Sequence, residues 1–145
     1  GGIERHYQPW AVATQANSYF RYLLVWLGQH LPGNPMHYRI QAHQFRIYAG
    51  VEQGGKPSPE GIHKDGSDYT FIHLLQCCNI SGGVSQIYDN AKHLVEQITL
   101  EKAGDSILLN DKSCYHNTTA IKPKDPRANA YRDVLVLTFH ANSTD

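Results

Sequence analysis

Tyr131-Arg132-Asp133-Val134-Leu135-Val136-Leu137-Thr138-Phe139 is the most regular stretch in this 145-residue chain. Branched and aromatic residues dominate it, Gly and Pro are absent, and it reads as a strand over Arg132–His140. A period of two puts Arg132, Val134, Val136 and Thr138 on one face. Six further segments share the texture: Tyr38–Ala49, Asp68–Asn79, Val84–Asp89, Gln97–Lys102, Ser106–Asn110 and Cys114–Ile121. Between them lie breakers such as Gly54-Gly55-Lys56-Pro57, Ser81-Gly82-Gly83, Ala103-Gly104-Asp105 and Pro123–Pro126. Seven short strands at this spacing predict a mainly β core. A double-sheet jelly roll is its natural closure, although propensity alone does not choose it over another sandwich.

Upstream, Phe20, Leu23, Leu24 and Leu27 recur at helical spacing and predict one N-terminal helix, Thr14 to His30, packed outside that core. Pro32-Gly33 ends it, and Tyr19, Tyr22 and Trp26 are expected to widen its apolar face. The first half-dozen residues read as irregular. One composition runs throughout, so residues 1–145 are expected to form a single domain. Met36 is the only methionine, so Gly1 is not a native start, and Gly1-Gly2 is left out of the fold reasoning.

With 41% hydrophobic and 18% charged residues, the composition is that of a folded globular chain. Thirteen basic residues balance thirteen acidic ones, which leaves no electrostatic footprint for nucleic acid. The longest apolar run, Tyr22 to Gly28, is far too short to span a membrane. Three cysteines (Cys77, Cys78 and Cys114) make neither a disulfide framework nor a zinc motif, and read as reduced thiols of a cytoplasmic protein.

The chemistry concentrates in Pro59-Glu60-Gly61-Ile62-His63-Lys64-Asp65-Gly66. In an extended chain His63 and Asp65 project to the same side, and Gly66 permits a sharp turn directly after them. His116, in Ser113-Cys114-Tyr115-His116-Asn117-Thr118, supplies a third donor from a late strand. Two imidazoles and one carboxylate on one face of an octahedral ion leave three positions open, the facial triad of non-haem Fe(II) oxygenases. A closed structural zinc site would leave no such room.

Arg132 opens the last strand. A guanidinium there either grips a carboxylate with two parallel hydrogen bonds or stands in solvent beside a surface acid. Given the triad, the first role fits the distal carboxylate of 2-oxoglutarate, with Thr138 on the same strand face as a second contact. Arg127, in a Pro-flanked loop, is the solvent-exposed rival. For the substrate, Arg46 and Gln44 share a strand face, and Tyr69 follows the iron-binding segment. Arg46 equally reads as a solvated residue of an edge strand. His73 reads as a hydrogen-bonded core residue; His6, His30, His37, His93 and His140 read as solvated. Asp89, Asp105 and Asp111 read as turn formers, and Cys114 as a packing residue.

The run from Pro59 through Asp68-Tyr69 resembles the iron-binding segment of bacterial 2-oxoglutarate/Fe(II)-dependent dioxygenases, the family that includes the L-isoleucine 4-hydroxylase-type free amino acid hydroxylases. His43-Gln44-Phe45-Arg46, Gly82-Gly83-Val84-Ser85-Gln86-Ile87-Tyr88-Asp89 and Arg132-Asp133-Val134-Leu135-Val136-Leu137-Thr138-Phe139 resemble further segments of it, in the same order. The likeness covers roughly Tyr38 to His140. It implies a double-stranded β-helix, iron on His63, Asp65 and His116, and 2-oxoglutarate on Arg132. It implies hydroxylation of a small substrate such as a free L-amino acid, with dioxygen consumed and succinate and carbon dioxide released; sulfoxidation of a thioether is another outcome for such a site. Family members carry a longer region before the first core strand, so a compact member or an N-terminally truncated chain is expected. Three other readings stay open: a cupin-like metalloprotein that does not use 2-oxoglutarate, a non-catalytic β-sandwich binding module, and an oxygenase acting on a protein side chain.

Overall fold

The computed structural model describes residues 7–32 and 38–142. Among the described residues two helices, α1 (Val12–Gln15) and α2 (Ser18–His30), precede nine strands. The strands are β1 (Tyr38–Tyr48), β2 (Tyr69–Cys78), β3 (Ile80–Gly82), β4 (Val84–Tyr88), β5 (Leu94–Thr99), β6 (Ser106–Asn110), β7 (Tyr115–Thr118), β8 (Ile121–Pro123) and β9 (Tyr131–Ala141). The chain divides into two compact units, one spanning Ile40–His140 and one holding the residues on either side of it. The readings for residues 1–6, including His6, and for His37 lie outside the described residues.

In the helical unit, the single expected helix is two. Asn17 leaves the helical region (φ −61°, ψ 127°), and its side chain accepts a hydrogen bond from the Phe20 amide, capping α2. Leu23 and Leu27 are buried, whereas Tyr19 and Tyr22 stand in solvent and do not widen the buried stripe. Among the described residues no helix is long and apolar enough to cross a membrane.

The β unit carries a four-stranded sheet in the order β1-β9-β2-β6, a three-stranded sheet β5-β4-β7 and a two-stranded ribbon β3-β8. β2 runs antiparallel to both β6 and β9, and β4 to both β5 and β7. This is the expected jelly roll. Ile72, Leu74, Leu100, Ile107, Leu109 and Val134 form its core, joined by Phe45, Ile47, Ile87 and Val136. Leu74 and Leu137 are fully buried; each contributes roughly 1.5–3 kcal/mol relative to exposure.

Nine strands replace the seven expected. β3 and β8 are three residues each and exist through their mutual pairing, Ile80↔Pro123 to Gly82↔Ile121. Gly82 had read as a breaker; it has φ +81°, and an added Cβ would strike the Ala120 carbonyl oxygen, so glycine is what permits this close strand pair. β5 begins three residues earlier than the segment expected at Gln97.

β2 and β9 pair from Tyr69↔Phe139 to Cys78↔Tyr131, with a bulge between Leu74 and Gln76. Beside that bulge a polar clamp forms. Arg46 on β1 donates Nε and Nη2 to the two carboxylate oxygens of Asp133 on β9 (2.7 and 2.6 Å), and Gln76 on β2 donates to Asp133 Oδ2 (2.7 Å). Arg46, then Gln76, hold the Asp133 carboxyl below the ordinary carboxylate range, against the opposing effect of burial. A depressed folded pKa stabilises the native state above the unfolded value and loses that contribution as pH falls through the folded one. Asp133→Asn is therefore expected to lower the melting temperature at neutral pH. Thermal melts in a pH series should show its deficit against the parent shrinking once pH drops below about 4; a pH-independent deficit would remove the ionic origin assigned to the clamp.

Candidate metal centre

His116 lies on β7, opposite Ile87 of β4. His63 belongs to the β1–β2 connection, yet it pairs with His116 as an isolated antiparallel bridge. Each backbone N–H donates to the other residue's carbonyl, both at 2.9 Å. Directly opposed residues of an antiparallel pair project their side chains to the same side. The two imidazoles accordingly meet, with ring centroids 4.4 Å apart.

Asp65 completes the group. Its Oδ1 lies 3.6 Å from His63 Nε2 and its Oδ2 lies 3.6 Å from His116 Nε2. One donor atom from each of the three residues falls within 4.8 Å of the others. Neighbouring ligands at metal–donor bonds near 2.1 Å stand about 3 Å apart, so a small contraction around a cation suffices.

Local structure aims these atoms. His63 Nδ1 donates to the Gly61 carbonyl oxygen (2.8 Å), which leaves the Nε2 lone pair toward Asp65. Thr70 on β2 donates its hydroxyl to Asp65 Oδ2 (2.8 Å). Gly66, at φ +77°, makes the turn expected directly after the second donor.

The neighbouring carboxylate of Asp65 raises the His63 pKa. Burial lowers that of His116, with Asp65 opposing. For Asp65 itself, burial pushes the pKa upward, but His63, His116 and Thr70 together outweigh it and hold the carboxyl below its ordinary value.

Arg132 is 2% exposed, and its Nε and Nη2 find no hydrogen-bond partner among the described residues. Its side chain passes Gly83, where an added Cβ would stand 4.0 Å from Arg132 Cδ. Arg132 pairs with Cys77, and Val134 with Leu74, so the guanidinium leaves the sheet on the core side. Burial depresses its pKa. A buried guanidinium with open donors is a costly arrangement for a protein to keep without an anion to meet it.

Thr138 sits on the same face but six residues along β9, roughly 20 Å away at about 3.3 Å per residue. One small dicarboxylate carboxyl cannot reach both residues. Thr138 instead pairs with Thr70, and its Oγ1 lies 3.3 Å from His140 Nε2. The Arg46 and Gln44 expectation meets a similar obstacle. Phe45 and Ile47 pack into the core, so Gln44 and Arg46 point to the other face of the sheet, where Asp133 occupies the Arg46 guanidinium. Tyr69 alternates with Thr70 and also projects away from the metal side.

Arg127 pairs with Asp125 in solvent, and His73 is buried with Nδ1 2.7 Å from Ser106 Oγ. Cys114 packs against the core and donates to the Asn110 carbonyl. Asp89 and Asp105 accept backbone N–H groups in their own turns. Asp111 differs from both. It is 1% exposed, and its carboxylate accepts the amides of Asp65, Gly66 and Ser67 across the fold. Its sequence signal, Asn-Asp after a strand, is that of an ordinary turn.

Two imidazole nitrogens and one carboxylate, brought together from separate chain segments, form a group that could hold a metal ion. Residues 1–138 match the 2OG-Fe dioxygenase family, and the chain belongs to it. That family's chemistry uses Fe(II), 2-oxoglutarate and dioxygen. The chain is 29% identical over 104 residues to a 3(1)-hydroxy-L-isoleucine 4-dioxygenase of Pantoea ananatis, covering 71% of this chain and 42% of that protein. It is 28% identical over 106 residues to an L-isoleucine-4-hydroxylase of Bacillus thuringiensis, covering 72% and 43%. The crystal structure of a bsmA homologue from Methylobium petroleophilum PM1 superposes with a TM-score of 0.82 at 33% identity, covering 97% of this chain and 58% of that one. The chain thus spans less than half the length of these two curated relatives.

Arg132→Met keeps the length of the side chain and removes an uncompensated buried charge. The ligand-free variant is expected to melt higher than the parent, by on the order of 1 kcal/mol or more. Differential scanning calorimetry without ligands checks this, and a lower melting temperature would mean that the guanidinium is already satisfied.

Proposed function

We propose that this chain is an Fe(II)- and 2-oxoglutarate-dependent dioxygenase that hydroxylates a small molecule, a free L-amino acid. The observation that carries the proposal is the convergence of His63, Asp65 and His116 from separate chain segments onto one point. The relatives' names, an L-isoleucine-4-hydroxylase among them, support the substrate class. All the residues concerned lie in the Ile40–His140 unit.

His63 Nε2, Asp65 and His116 Nε2 would hold the iron. The donor set fits, and the Gly61 carbonyl and the Thr70 hydroxyl already hold two of the three ligands in orientation. Bound there, iron supplies dioxygen activation coupled to oxidation of 2-oxoglutarate. In the balanced reaction one oxygen atom enters the substrate C–H bond as a hydroxyl group. The other enters succinate as carbon dioxide leaves 2-oxoglutarate.

Arg132 receives the distal carboxylate of 2-oxoglutarate on Nε and Nη2, the two donors that lack partners. Such a pairing would turn a costly buried charge into a compensated one. No side chain is required as a general base, because the C–H bond is broken by oxidation rather than by proton transfer. The three free thiols are in keeping with a reducing, cytoplasmic setting.

The open donors on Arg132 favour this reading over a cupin-like metalloprotein without 2-oxoglutarate, which has no use for them. Succinate formation from 2-oxoglutarate, with Fe(II) and dioxygen, screened across the common L-amino acids, tests the proposal. Asp65→Ala is expected to abolish amino-acid-dependent turnover. Full activity in that variant, or no succinate with any amino acid in the parent, would sink it.

A further inference from the structure

Asp111 lies outside the three donors, and the reaction as derived above does not use it. Its carboxylate is buried between the loop that carries Asp65 and the imidazole of His116. Oδ1 accepts the Asp65 amide (3.1 Å), and Oδ2 accepts the amides of Gly66 (2.8 Å) and Ser67 (3.0 Å). The Asp111 amide donates in turn to the Asp68 carbonyl (3.0 Å), so this aspartate is stitched to the loop from both sides. His116 Nδ1 is buried with no hydrogen-bond partner among the described residues, and Asp111 Oδ1 lies 3.9 Å from it. A histidine that gives Nε2 to a metal carries its proton on Nδ1, and that N–H needs an acceptor. His63 has the Gly61 carbonyl for the purpose.

We infer that Asp111 is a positioning residue shared by two of the three metal ligands: it fixes the Asp65 loop through three backbone amides and accepts a hydrogen bond from the Nδ1–H of metal-bound His116. This rests on the metal-site reading above. One buried carboxylate then couples ligands from two chain segments, so that setting Asp65 and orienting His116 are one structural event. The separation of 3.9 Å is longer than a hydrogen bond, so the inference requires the imidazole to move toward Asp111 when Nε2 takes the metal. The negative charge opposite Nδ1 also makes Nε2 a stronger donor to a cation.

Asp111→Asn keeps the shape and loses the charge. Co(II), whose visible absorption reports ligand geometry, is titrated into the metal-free parent, into Asp111→Asn, and into Asp105→Asn as a control for a turn aspartate remote from the site. The parent and the control are expected to bind one Co(II) with the same spectrum. Asp111→Asn is expected to bind about 10- to 100-fold more weakly, with a shifted band. Parent-like affinity and spectrum in a folded Asp111→Asn would overturn the inference and leave the metal site standing. Absence of Co(II) binding in the parent would overturn both readings together. Should Asp111→Asn fail to fold, NMR of the Zn(II)-loaded parent decides. A slowly exchanging His116 Nδ1 proton supports the shared carboxylate, and its absence overturns it.

Discussion

A single-residue bridge governs the site. His63 and His116 exchange two backbone hydrogen bonds although neither strand ladder extends through both. Pairing at any other register would put one imidazole on the wrong side of the backbone, because side chains alternate. The bridge therefore does what no side-chain interaction here does: it decides that two histidines from distant segments face the same point. Asp65 follows at the next residue of the same parity, and Gly66 then turns the chain at φ +77°.

Two buried charges show how satisfaction separates support from function. The Asp111 carboxylate accepts three amides from within the fold. The Arg132 guanidinium, equally buried, has two donors without partners. Burial is costly for both, but only the first recovers the loss within the fold. A carboxylate ligand such as the proposed 2-oxoglutarate would complement it in charge and shape.

Much of this was legible in the residues. The period of two over Arg132–Thr138 gave β9 and put Arg132 on one face with Val134 and Val136, and the spacing of His63, Asp65 and Gly66 anticipated the turn. What escaped has physical reasons. β3 and β8 are too short to show a period and form only by pairing with each other. Asn17 reads as an ordinary helix residue until its side chain is seen capping Phe20. Parity placed Arg46 and Gln44 together but could not say which face was inner, because β9 is buried on both sides. It also put Thr138 with Arg132 correctly while saying nothing of the distance along the strand. Asp111 has the same local signature as Asp89 and Asp105; its difference lies in burial, which depends on where a remote loop comes to rest.

The unexpected destination of Arg46 bears on the site after all. Arg132 and Asp133 are adjacent, so one points inward and the other outward from the same turn of backbone. Outward, Asp133 ties β9 to Arg46 on β1 and to Gln76 on β2, clamping three neighbouring strands at one register. That register lies beside the β2 bulge, where a sheet is otherwise least regular. Inward, at the next residue, the guanidinium must hold its place without partners of its own. A long side chain in that situation is positioned through its backbone, and the clamp is what steadies it. Arg46, which the sequence offered as a substrate contact, thus fixes from the opposite face the strand that carries Arg132.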